Sequence, residues 1–162
     1  MDKQTYSISF ICLGNICRSP LAQGVFQDLV NRESLEERIL ISSAGVGNWH
    51  VGEPPDPRMQ KTAEARGIPL RNRAQQIGPG DFRHLDLILA MDQSNLSALE
   101  QMCPRGMENK LKLFRSFDPK ANGNLDVPDP YYGGGKGFEL VFDIVSRTSP
   151  EILKFIRSKL GC

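Results

Sequence analysis

The 162-residue chain is short of the features that mark a secreted scaffold, a membrane protein or a polyanion binder. Its four cysteines, at positions 12, 17, 103 and 162, are too few and too unevenly spaced for a disulfide framework and read as free thiols. Only two histidines occur, His50 and His84, each isolated, and Cys12-x4-Cys17 has no second cluster to pair with, so no metal is expected. Charges of the two signs nearly cancel, and the net +1 offers no overall pull toward nucleic acid or membrane. No apolar run approaches the ~20 residues of a membrane span, and the start Met1-Asp2-Lys3-Gln4-Thr5 lacks a basic targeting region. A cytoplasmic location is therefore expected, and any anion binding must be local.

What is present is an ordinary globular mixture, 40% apolar and 24% charged, of a length that suits a single domain over residues 1–162. Tyr6 to Leu13 alternates and then turns fully apolar, as a strand entering a buried sheet does. Ser19-Pro20 reads as an N-cap and first helical residue, opening a helix from Leu21 to about Asn31 with Leu21, Val25, Phe26, Leu29 and Val30 on one stripe. A second strand, Ile39 to Ser43, ends at Gly45, completing a βαβ unit. Asp56-Pro57 opens another helix closed by Gly67; Asp86 to Met91 is a buried third strand running into Asp92 as the next N-cap; Leu111 to Phe114 is a fourth strand. Phe138 to Leu160 is helical in pattern, with Ser149-Pro150 expected to break, kink or restart it. Gly133-Gly134-Gly135-Lys136 reads as a hinge before that helix. Alternating strands and helices predict an α/β fold, a four-stranded parallel sheet in a three-layer domain, with a phosphate-binding loop after the first strand at a topological switch point.

That loop, Cys12-Leu13-Gly14-Asn15-Ile16-Cys17-Arg18-Ser19, carries the chemistry. Five residues between thiol and guanidinium let the backbone curl once around a tetrahedral oxyanion. The amides of residues 13 to 18, the helix N-terminus and Arg18 favour the thiolate form of Cys12 and bind phosphate, Arg18 gripping two oxygens with its planar fork. Gly14 allows close backbone approach, Asn15 holds the loop's shape, and the Ser19 hydroxyl is placed to hydrogen-bond the departing sulfur. A leaving oxygen needs a proton, and Asp129, in Asp129-Pro130-Tyr131-Tyr132, is the candidate acid and subsequent base. Trp49, Tyr131 and Tyr132 can flank a flat ring, with Leu13 and Ile16 lining the mouth and His50 at the rim. A slot deep enough for an aryl phosphate would leave the phosphate of a shorter, serine-type ester short of Cys12.

These residues resemble the low-molecular-weight protein tyrosine phosphatase family. Beyond the loop and Asp129-Pro-Tyr-Tyr132, the likeness extends to Ser42-Ser-Ala-Gly45, Gly52-Glu-Pro-Pro-Asp-Pro-Arg58, Gly67-Ile-Pro69 and Ala90-Met-Asp-Gln-Ser-Asn95, in matching order. The resemblance implies hydrolysis of phosphotyrosine in proteins through a phosphocysteine, no cofactor, and a monomer whose partners are phosphoproteins and oxyanions. Family members often carry a histidine just beyond the Gly-Ile-Pro turn to support the loop asparagine. Asn72 stands there, and Ser43 and Asn72 are expected to hydrogen-bond Asn15 and Ser19.

Plainer readings stand beside these. Cys12 could be a packed strand-end thiol, although that leaves the spacing to Arg18 unexplained. Cys17 is either loop filler or a thiol that traps oxidised Cys12. Asp129 could merely open a turn, Asp92 could cap its helix or touch Arg18, and Trp49 with Tyr131 could form a satellite hydrophobic cluster. Arsenate reduction would need a closely spaced thiol pair where only Cys103 stands. A phosphocysteine carrier or phosphotyrosine-binding module would have no use for Asp129.

Overall fold

The computed structural model describes residues 4–130 and 135–162. Four strands, β1 (Tyr6–Cys12), β2 (Ile39–Gly45), β3 (Leu87–Ala90) and β4 (Leu111–Leu113), form one all-parallel sheet in the order β2-β1-β3-β4. Helices α1 (Arg18–Arg32), α2 (Pro57–Glu64), α3 (Gln93–Met102) and α4 (Gly135–Leu160) connect and cover it. This is the expected three-layer α/β arrangement.

The layers follow from the period-two alternation of the strands. In β1, Tyr6, Ile8, Phe10 and Cys12 face the core shared with α1, α2 and α4, while Ile11 faces the opposite core. In β3, Leu87 and Leu89 join the first core, and Ile88 and Ala90 join the second beside Phe82 and Leu99. Phe10 is fully buried and meets Phe26 of α1 edge-on at 5.7 Å and Phe114 at 5.9 Å. Burying each such ring contributes about 1.5–3 kcal/mol.

The chain leaves β1 toward β2 on one side, then crosses back to β3 on the other. The carboxyl end of β1 is therefore the switch point, where loops diverge and leave a crevice. Cys12 is its last residue.

Several boundaries differ from expectation. α1 begins at Arg18 rather than Leu21, with Cys17 in the N-cap position and no side-chain cap. Ser19 is thus inside the first turn, and its hydroxyl is used elsewhere. β3 and β4 are trimmed at their ends, Asp86 and Met91 lying outside the former and Phe114 outside the latter. α4 runs unbroken through Pro150. The proline ring is exposed while the apolar stripe Ile144, Val145, Ile152, Leu153 and Ile156 stays buried on both sides of it. Packing of that stripe outweighs the one backbone hydrogen bond that proline removes. Of the expected glycine hinge, Gly133 and Gly134 lie outside the described residues, and α4 already begins at Gly135.

Candidate active site

Residues 12–18 form a turn whose carbonyls are tied to the surrounding framework. Val46 N–H donates to Cys12 O at 3.0 Å, Gly47 N–H to Leu13 O at 2.9 Å, Asp56 N–H to Ile16 O at 2.8 Å, and Leu21 N–H to Cys17 O at 3.2 Å. With those oxygens engaged outward, the amides of Gly14, Asn15, Ile16 and Cys17 bond no carbonyl among the described residues. Together with the start of α1 they make an anion-binding concavity above Cys12. Gly45 makes the turn possible, since a Cβ there would lie 2.8 Å from Leu13 O and 3.0 Å from the Gly14 carbonyl carbon.

Asn15 adopts a left-handed backbone, φ 58°, a conformation that costs a non-glycine residue roughly 1–3 kcal/mol unless its surroundings hold it. Its side chain supplies the hold. Gln75 N–H donates to Asn15 Oδ1 at 3.0 Å, which turns the Asn15 amide nitrogen toward Ser19 Oγ at 2.8 Å and Ser43 Oγ at 3.0 Å. Ser43 in turn donates to Gln23 Oε1 at 2.5 Å. The Ser19 oxygen accepts from Asn15 and lies 2.9 Å from Cys12 Sγ and 3.4 Å from Ala44 O, so its one hydroxyl hydrogen serves either the sulfur or, at longer range, that carbonyl. A neutral relay thus runs from Gln23 through Ser43, Asn15 and Ser19 to the sulfur.

Arg18 is 2% exposed. Its Nη1 donates to Asp92 Oδ2 at 2.7 Å and to Val127 O at 2.9 Å, while Nη2 lies 3.6 Å from Asp129 Oδ2. Asp92 has two tasks, since its other oxygen accepts Asn95 N–H at the start of α3. Burial works against the Arg18 charge, but the Cys12 sulfur and the two carboxylates outweigh it and raise the pKa. The guanidinium is permanently positive and held at a fixed angle.

Above the loop lies a cavity of about 340 Å³ lined by Cys12, Leu13, Gly14, Ile16, Cys17, Arg18, Trp49, His50 and Asp129. The structure therefore gathers a thiol, a cation, a carboxylate and an apolar rim around one space. Trp49 is 69% exposed, its ring lying over Gly47. His50 Nδ1 is 2.7 Å from Glu53 Oε2, and the imidazole sits directly over Gly14, where a Cβ would approach Cδ2 to 2.9 Å. Tyr131 and Tyr132 lie outside the described residues.

Asn72 does not join the loop network. Its buried amide nitrogen has no hydrogen-bond partner, and the places beside Asn15 and Ser43 are taken by the Gln75 backbone and by Gln23. Sequence reasoning missed both glutamines, whose side chains carry no distinguishing spacing. Cys17 is buried, and burial, with the Asp56 carboxylate next, pushes its thiol pKa up, so it is held protonated beside Cys12. Among the described residues no cluster of histidine, cysteine and carboxylate side chains could hold a metal, and no helix is long and apolar enough to cross a membrane.

Residues 7–160 match the family model described as low molecular weight phosphotyrosine protein phosphatase. A Streptomyces coelicolor low molecular weight protein-tyrosine-phosphatase is 42% identical over 158 residues, 96% of each chain. A protein tyrosine phosphatase from Entamoeba histolytica, crystallised with Hepes in its active site, superposes with a TM-score of 0.91 at 34% identity, covering 95% of this chain and 98% of that one. A Drosophila arginine phosphatase shares the fold at a TM-score of 0.85 and 28% identity, covering 97% and 98%.

Proposed function

Since the chain belongs to the low molecular weight phosphotyrosine protein phosphatase family, we propose that it hydrolyses phosphotyrosine in proteins, and small aryl phosphates, through a phosphocysteine. The observation that carries this reading is one cavity shared by Cys12, Arg18 and Asp129. The Cys12 thiolate attacks phosphorus while the P–O bond to the phenol breaks, and the Asp129 carboxyl gives its proton to the departing oxygen. The Arg18 fork and the loop amides carry the charge on the transferring phosphoryl group. Asp129, now a carboxylate, takes a proton from the attacking water. The P–S bond then breaks with the Ser19 hydroxyl supporting the returning thiolate.

The apolar rim of Leu13, Ile16 and Trp49 suits a flat aromatic leaving group, to which Tyr131 and Tyr132 would add. On this reading the protein works as a monomeric single domain, without metal or cofactor, in the cytoplasm, and its partners are phosphoproteins rather than nucleic acid or membrane.

The test is phosphate release from phosphotyrosine, phosphoserine and phosphoarginine peptides under metal-free conditions, for the native chain and Cys12→Ser. Release from the phosphotyrosine peptide alone, abolished in the variant, is expected. Preferential release from the phosphoarginine peptide would reassign the substrate, and tight retention of phosphotyrosine without release would make the protein a binding module.

A further inference from the structure

A second group of charges lies behind the segment that carries Asp129. The Asp118 side chain is fully buried. Its carboxylate accepts Arg115 Nε at 2.9 Å, Arg147 Nε at 2.9 Å and Nη2 at 3.0 Å, and the Lys120 amide at 2.9 Å. Arg147 comes from α4 and Arg115 from the turn after β4. Taking the Asp118 and Arg115 charges out of water, with Arg147 only partly buried over them, contributes little net stability compared with apolar packing of the same volume, so their use is to be sought in geometry.

That geometry points at the active site. Arg115, oriented by Asp118, donates from Nη1 to Asp126 O at 3.0 Å. The Asp126 carboxylate accepts Gln93 N–H at the start of α3, and the next residue, Val127, is pinned on both sides, its N–H to Met91 O at 2.7 Å and its carbonyl to Arg18. From there the chain reads Val127-Pro128-Asp129-Pro130. Pro128 has a locked φ, and Val127 and Asp129, each preceding a proline, are confined to extended backbone. Few torsions are free between the anchored Val127 and the Asp129 carboxyl.

We propose that Arg115, Asp118 and Arg147 are positioning residues for Asp129, setting through Asp126 and the Pro128 segment where its carboxyl meets the leaving oxygen. This rests on the reading of Asp129 as the general acid. A displacement there would leave phosphate binding by Arg18 and the loop amides intact while slowing departure of a poorly acidic phenol.

The experiment compares kcat/KM for 4-nitrophenyl phosphate, whose phenol leaves with little help, and phenyl phosphate, whose phenol needs the proton. It is run on the native chain, Asp129→Asn, Asp118→Asn and Arg147→Lys, with the inhibition constant of inorganic phosphate measured alongside. Asp118→Asn is expected to widen the ratio between the two substrates about tenfold, and Arg147→Lys less, with the phosphate constant within about twofold of native. Arg147 is 29% exposed at its side chain, so the lysine variant answers the question if Asp118→Asn does not fold. An equal fall on both substrates, or a ratio unchanged in the variants while Asp129→Asn widens it, overturns the positioning role alone. An unchanged ratio in Asp129→Asn itself overturns the acid assignment, and the positioning role with it.

Discussion

The two halves of the catalytic apparatus are built from different materials. The Asn15 side of the phosphate loop is held by neutral groups, the amides and hydroxyls of Gln23, Ser43, Asn15 and Ser19 together with backbone bonds to the strand ends, and only its last residue, Arg18, is tied to a carboxylate, that of Asp92. The segment bearing Asp129 is held by charges, Arg115, Asp118, Arg147 and Arg18. The difference fits what each must do. The Asn15 relay reaches the sulfur without bringing a charge to it, whereas a segment lying outside the sheet needs strong, directional anchors to stay in register with it.

The sharpest way to break the comparison is at Asn15. Asn15→Ala removes the donor that turns Ser19 toward the sulfur and the acceptor of Gln75 N–H, and leaves a side chain at φ 58°; Asn15→Gly removes the same bonds but leaves no side chain there. We expect kcat/KM to fall on the order of 10²-fold in both, and thermal stability to fall in the alanine variant by about 1–3 kcal/mol more than in the glycine variant. Steady-state kinetics and thermal melts check this together. Full activity in Asn15→Gly would mean that the relay is incidental and the backbone shape alone suffices.

The charged side should reveal itself through pH. Burial alone would raise the Asp118 pKa, but hydrogen bonds from Arg147, the Lys120 amide and Arg115 hold it at about 2, against an ordinary 3.8. The unfolded chain therefore takes up this proton first. The stabilisation, on the order of 2 kcal/mol, is complete above the unfolded value and is lost as pH falls from about 4 to about 2. Urea unfolding of the native chain should weaken steeply across that window, and Asp118→Asn should flatten the slope. Asp56, whose pKa is lowered chiefly by Arg58, contributes a similar slope to both proteins, so the difference between them isolates Asp118.

The same division decides how much could be read from sequence. The order of strands and helices, Cys12 at a strand end, Arg18 at a helix start and Asp129 near them were all legible, because alternation, capping and spacing are local signals. The contact of the Ser19 hydroxyl with the Cys12 sulfur was legible as well, from the loop motif; its reading as a helix cap was not met, because the helix already starts at Arg18, with Cys17 in the cap position. Pro150 misled because proline is a local signal, while the buried stripe that carries α4 through it is tertiary. Gln23, Gln75 and the Arg115, Asp118 and Arg147 group were invisible, being joined across 20 to 60 residues or, for the last, reaching Asp118 from a helix 29 residues further on.

Asn72 marks the edge of the neutral network, and the smallest effect is expected there. Its amide nitrogen is buried without a partner, so Asn72→Ala removes a desolvated donor and breaks no bond from it. Stability should change by less than about 0.5 kcal/mol, or rise slightly, and kcat/KM should stay within about twofold of native. Gln23→Ala, by contrast, leaves the Ser43 hydroxyl without its acceptor and should slow turnover measurably. If Asn72→Ala proved the more damaging of the two, Asn72 would support the loop in a way its unpartnered nitrogen does not show. The relay through α1 would then be secondary. The ranking of these two variants, read in one kinetic assay, therefore decides which element holds Asn15 and, through it, the hydroxyl facing Cys12.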